Sequence, residues 1–81
     1  MGFPCEFPIK ALGPAVPGLR ERVVEIVSRH APGIRDRQVT SRPSQGGRYL
    51  SVTVRITASS QQQLDAIYRE LSACDQVSMV L

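Results

Sequence analysis

One histidine, two cysteines and a run of arginines are the residues of this chain whose chemistry could be put to use, so their spacing comes first. Nucleophilic catalysis needs a base beside the nucleophile and a third group to orient it, and a zinc site needs three or four converging ligands. His30 is the only histidine, so Ser41, Ser44 and Ser51 have no second imidazole to complete a triad. It closes an apolar helical stripe, where packing or neutralising a helix C-terminus suits it better than proton transfer. Cys5 and Cys74 sit near opposite ends of the chain, and each reads as a small buried hydrophobe rather than half of a disulfide. Asp65 and Glu70 fall on what reads as the solvent side of a helix. Gly46-Gly47 leads into a strand with no lysine at the spacing of a phosphate loop. The expectation is therefore a protein with no catalytic residue, no metal and no cofactor, and not an enzyme.

Binding is a better prospect. Arg35, Arg37, Arg42, Arg48 and Arg55 share their stretch with a single acid, Asp36, a local charge of +4 in a chain whose ten basic and seven acidic residues leave only +3 overall. Arginine grips carboxylates and phosphates in two-point fashion. RNA-reading sheets add two or three aromatic rings for stacking, whereas here Tyr49 stands alone and Ser51 and Thr53 hold the middle of the candidate face. Arg37, Arg42, Arg48, Tyr49 and Arg55 are thus read as a surface for a protein partner, self-association included, with nucleic acid as the alternative.

The elements that must carry these residues follow from periodicity. Cys5 to Leu12 alternates, with Cys5, Phe7, Ile9 and Ala11 inward, and predicts a strand in which Pro8 leaves a bulge or a locally unpaired stretch. Gly13 to Gly18 breaks it. Leu19, Val23, Ile26, Val27 and His30 recur at helical spacing, and Ala31-Pro32-Gly33 ends that helix. Arg35 to Pro43 fits a polar edge strand, and Ser44-Gln45-Gly46-Gly47 a hairpin connection. Tyr49 to Ala58 has the cleanest alternation, Leu50, Val52, Val54, Ile56 and Ala58 inward. Ser59-Ser60 followed by glutamines is a helix-starting capping pattern, and Leu64, Ile67, Tyr68 and Leu71 form the stripe of a second helix ending at Ala73. Asp65 and Arg69 should pair on its exposed side. Val77, Met79 and Leu81 then alternate with Ser78 and Val80 in a final strand.

The order is βαββαβ. Two right-handed crossovers joined by a hairpin give an α+β ferredoxin-like two-layer sandwich, a four-stranded antiparallel sheet with two helices on one face, in a single domain over residues 1–81. Its other face should be bare and polar, carrying Lys10, Thr40, Arg42, Ser51, Thr53, Arg55 and Ser78. A hydrophobic content of 42% with 21% charged residues excludes a disordered tail, and no apolar run is long enough to cross a bilayer. Met1-Gly2-Phe3-Pro4 lacks the charged start and apolar core of a secretory signal, so a reducing cytoplasmic setting is expected.

Phe3 to Ile9, Val23 to Gly33, Ser44 to Val52 and the ending Val77-Ser78-Met79-Val80-Leu81 closely resemble the YbeD-like family of small bacterial proteins of unknown function. The resemblance implies a fold similar to the amino-acid-binding regulatory ACT domains, a cytoplasmic bacterial setting and, through gene neighbourhood, a link to lipoate attachment; it implies no activity. ACT domains receive a carboxylate on backbone amides at an aspartate and Pro-Gly pattern between first strand and first helix. Pro17-Gly18-Leu19 looks like part of it and is the candidate small-ligand site. No aspartate lies in this loop, and the leucine follows the glycine directly, which favours a plain helix-entry turn.

The alternation of the third strand sets a direct test. Val54→Ala should cost about 1–3 kcal/mol in urea melts through loss of buried methyls, while Thr53→Ala, facing the other way, should be nearly silent.

Overall fold

The computed structural model describes residues 2–81; Met1, the first residue of the segment read for a secretory signal, lies outside them. Four strands and two helices follow in the order β1 (Cys5–Pro14), α1 (Leu19–His30), β2 (Val39–Pro43), β3 (Tyr49–Ala58), α2 (Gln61–Ala73) and β4 (Met79–Val80). The sheet is antiparallel with spatial order β2-β3-β1-β4. Its two long, strongly alternating strands are central and its polar second strand lies at an edge, as their side-chain chemistry requires.

The core lies between the sheet and the two helices. Ile9, Val52, Val54 and Ile56 from the strands meet Leu19, Val23, Ile26 and Val27 of α1 and Leu64, Ile67 and Leu71 of α2. Each wholly buried aliphatic chain of this kind contributes roughly 1.5–3 kcal/mol relative to exposure. Phe7 and Cys5, inward on β1 but toward its start, are only half-buried, and Cys74 is half-buried too, so neither cysteine is the fully buried hydrophobe expected; both are free.

The capping at α2 joins the helices. Ser60 Oγ accepts from the Gln63 N–H at 3.1 Å, and Gln63 Oε1 accepts in return from the Ser59 N–H at 2.7 Å. The amide end of Gln63 then donates to His30 O at 2.7 Å, satisfying a carbonyl at the close of α1. Asp65, expected to pair with Arg69, instead accepts from Gln61 Nε2 at 3.0 Å, one turn earlier on the helix.

Several expectations about the strands are corrected. The strand predicted over Arg35 to Pro43 begins only at Val39, because Asp36–Gln38 forms a single 3₁₀ turn, which removes Arg37 from the strand. Gln38 stabilises that turn by accepting from the Arg35 N–H at 2.9 Å and takes the place of a paired strand residue by donating to Arg55 O at 2.8 Å. The final strand is short, and Val77 precedes it in a turn, its N–H on Cys74 O. The alternation therefore runs differently: Val80, opposite buried Ala11, faces inward, and Met79, opposite Leu12, faces out. Ser78, expected on the bare face, lies outside the strand and donates its N–H to Leu12 O.

Pro8 introduces no bulge, since the β1–β3 register is unbroken from Cys5 opposite Ala58 to Pro14 opposite Tyr49. The carbonyls of Lys10 and Leu12 accept from the β4 side, from Leu81 and Ser78, so the even-numbered residues of β1 turn their backbone groups away from β3. Pro8 and Pro14 share that parity, and their missing N–H groups cost the central ladder nothing. Pro43 does the same on β2, where the neighbouring Ser44 N–H bonds Tyr49 O and the odd-numbered positions face out.

Gly13 does not end β1 but lies within it, opposite Leu50, and a Cβ there would come within 2.1 Å of Gln76 O and 3.2 Å of Leu19 Cδ1. The segment entering β4 crosses the strand at this point. Gly13→Ala should therefore destabilise by about 1–3 kcal/mol in chemical melts, since a backbone carbonyl must shift to admit the methyl.

Candidate functional site

Both helices cover the same face of the sheet and leave the other open. Across it, Arg42 of β2 stands opposite Ser51 of β3, Ser51 opposite Leu12 of β1, and Leu12 opposite Met79 of β4. The next row holds Thr40, Thr53 and Lys10, and Leu81, whose N–H donates to Lys10 O at 2.8 Å, extends it. Beyond that lie Arg55 and Pro8. Lys10, Thr40, Arg42, Ser51, Thr53 and Arg55 line one shallow hollow of about 260 Å³ in the middle of the face. Among the described residues no carboxylate makes a salt bridge to Lys10, Arg42 or Arg55. The three arginines of α1 are paired, Arg20 with Asp36 at 3.8 Å, Arg22 with Glu25 at 2.7 Å, and Arg29 with Glu70 at 2.8 Å, whereas Arg35, Arg37, Arg48 and Arg69 make no salt bridge among the described residues.

The face is less polar than its alternation suggested. Tyr49, Met79 and Leu81 are 52%, 55% and 58% exposed, and with half-buried Leu12 they form an apolar flank beside the cations. A second hollow of about 190 Å³, lined by Leu12, Pro43, Tyr49 and Leu50, adjoins the first and shares Lys10, Arg42 and Ser51 with it.

Of the five residues assigned to an interaction surface, Arg42, Tyr49 and Arg55 are brought onto this face. Arg37 sits off its edge in the 3₁₀ turn, sharing a hollow with Arg55 and the carboxylate of Glu6. Arg48 lies in the hairpin between β2 and β3, where its carbonyl accepts from the Ala15 N–H. Alternation puts Lys10 on the bare face, but the arginine-rich stretch does not include it. Its proximity to Arg42 and Arg55 depends on strand register, which local charge counting cannot supply.

Gly18 is the N-cap of α1 with φ +92°, a conformation that favours glycine. Leu19 is buried in the core, so of Pro17-Gly18-Leu19 only the first two residues are exposed. The hollow beside them is rimmed by Glu21, Glu25 and Asp75 with Arg22, so the surrounding charge opposes a carboxylate ligand.

Glu70, expected to face solvent, instead bridges the helices. Its Oε1 lies 2.6 Å from His30 Nε2, and its Oε2 accepts from Arg29 Nη1 at 2.8 Å. The imidazole and then the guanidinium hold its carboxyl below the ordinary value of 4.5. His30 is thereby committed to an interhelical contact, and among the described residues no three His, Cys, Asp or Glu side chains converge as a metal cluster would.

What these features define is a small α+β sandwich with one helix-covered and one open, basic sheet face. Residues 1–81 match the family described as "Protein of unknown function (DUF493)", and the chain belongs to that family. Among its relatives are UPF0250 proteins of Leptothrix cholodnii, 48% identical over 79 residues covering 98% of this chain and 87% of the relative. The relative in Shewanella sediminis is 47% identical over 81 residues, covering 100% and 90%. That in Neisseria gonorrhoeae is 42% identical over 79 residues, covering 98% and 87%. The YbeD-like resemblance carried by Phe3 to Ile9, Val23 to Gly33, Ser44 to Val52 and the final residues is thus a family relationship over essentially the whole chain. No helix among the described residues is long and apolar enough to cross a membrane.

A carboxyl whose folded pKa is depressed stabilises the fold above its unfolded value and loses that contribution as pH falls through the folded one. Melts of wild type and Glu70→Gln should therefore differ near neutrality, with the variant less stable, and converge as the pH is taken progressively below about 4.5.

Proposed function

We propose that this chain is a non-catalytic interaction module that binds an acidic protein partner through the open face of its sheet. The observation that carries the reading is the convergence of Lys10, Arg42 and Arg55 in one hollow with no carboxylate lining it, in a protein that pairs Arg20, Arg22 and Arg29. Three neighbouring cations repel one another, and an anionic partner relieves that repulsion while speeding encounter. A regulatory role by reversible association, in the cytoplasm, is the setting this reading implies. The link to lipoate attachment comes from the family's gene neighbourhood and identifies no contact. Small-ligand sensing at Pro17-Gly18-Leu19, in the manner of ACT domains, finds less support, because Glu21, Glu25 and Asp75 rim that loop.

Nucleic acid is the competing partner, and the identity of what is recovered separates the two; counterion release makes phosphate-backbone binding fall especially steeply as salt rises. In a tagged pull-down from native lysate, a Lys10→Glu, Arg42→Glu, Arg55→Glu protein should keep its fold and lose its protein partners, while Arg48→Glu retains them. Retention of every partner by the triple variant would overturn the reading, as would recovery of nucleic acid alone, lost steeply with salt.

A further inference from the structure

Resting on that reading, we propose that the partner contributes an extended acidic segment with an aliphatic or aromatic anchor, lying flat across the open face and not adding as a strand at either edge. Strand addition needs a row of outward backbone donors and acceptors. On β2 the outward positions are Val39, Ser41 and Pro43; the Val39 N–H is taken by Asp36 O and Pro43 has none, which leaves Ser41 as the one outward donor of that strand. On the opposite side β4 covers β1 only near Ala11 and Leu12, and Pro8 removes the donor between Glu6 and Lys10. Prolines at outward positions are a known means of blunting sheet edges.

The face itself offers what the edges lack. The cationic hollow and the apolar one adjoin and share Lys10, Arg42 and Ser51, so one short segment can place a carboxylate over the first and an apolar side chain in the second. Arg42 and Leu12 are two strands apart, roughly 10 Å at the usual spacing of neighbouring strands, which an extended segment crosses in about three residues. A second copy stacked face to face about a two-fold axis through the hollow would set Lys10, Arg42 and Arg55 against their own kind, so like charge disfavours it. RNA would find one exposed ring, Tyr49, at the rim and aliphatic chains elsewhere, which do not stack bases as aromatic rings do.

The probe is the blocked peptide Asp-Glu-Ser-Ser-Leu-Phe, titrated into the full chain and followed by backbone-amide NMR. Perturbations should centre on Lys10, Leu12, Thr40, Arg42, Ser51 and Thr53. Replacing the acids by their amides, or the last two residues by serine, should weaken binding by about tenfold each, and methylating the backbone nitrogens of the peptide should leave it within about twofold. Loss of binding on N-methylation, or perturbations centred on Ser41 or on Glu6 and Phe7, would overturn face docking in favour of an edge and leave the acidic-partner reading standing. Equal binding of the acidic and amide peptides would overturn both. An oligouridylate that shifts the same amides at lower concentration than the peptide would overturn the choice of occupant.

Discussion

The pairing of β1 with β3 is the constraint on which the rest of the molecule depends. Ten successive residues of each strand are in register, and side chains alternate between faces along both. The register therefore decides at a stroke that Ile9, Ala11, Val52, Val54 and Ile56 meet the helices while Lys10, Leu12, Ser51, Thr53 and Arg55 meet solvent or a partner. A slip of one residue would send every one of these to the wrong side. The core thus protects the open face: burying the aliphatic set in one register forces the cations of two sequence-distant strands into a common hollow, with no need for those cations to attract anything during folding.

The strand prolines belong to the same logic. In a sheet held by β1 and β3, a proline is tolerated where its nitrogen points away from an existing neighbour, and Pro8, Pro14 and Pro43 all satisfy that condition. They leave the ladder intact while removing outward donors, so a molecule with two edges has little to offer a stray strand. The helices are closed off in a different way. Gln63 spans Ser59 and His30, and Glu70 spans Arg29 and His30, so the polar ends of α1 and α2 satisfy one another.

Much of this architecture was legible in the sequence. Where the period was strong and the ends carried stop signals, as in α1 and β3, the bounds read from the residues coincide with those in the structure. Reading failed where a tertiary contact overrode local pattern. Arg37 alternates correctly for a strand, but Gln38 reaches across to Arg55 O and turns the backbone first. Met79 and Leu81 alternate with Val77, but the turn at Cys74 resets the phase before the strand begins. Gly13 looked like a breaker because only the fold reveals the carbonyl of Gln76 lying against it. Glu70 looked solvated because its partners lie 40 and 41 residues away. The candidate site was legible in part for the same reason: Arg42, Tyr49 and Arg55 belong to one dense local run, whereas Lys10 joins them only through register, and the apolar flank of Leu12, Met79 and Leu81 comes from the two ends of the chain.

The uneven pairing of charge ties these observations together. Isolated surface ion pairs contribute little, typically under about 1 kcal/mol, so an exposed hollow gains little stability by including a carboxylate and loses little by excluding one. Stability alone therefore does not account for a protein that pairs the arginines of α1 yet leaves Lys10, Arg42 and Arg55 together, beside three large apolar side chains more than half exposed. On the proposed reading the two features need each other. Exposed apolar chains on an uncharged open sheet would invite a second copy onto the face, and the cations oppose that stacking by repulsion. The same cations lower the cost of approach for an acidic segment, whose apolar anchor can then use the surface that a second copy is denied. Selectivity would then rest on rejection of like charge as much as on attraction of unlike charge.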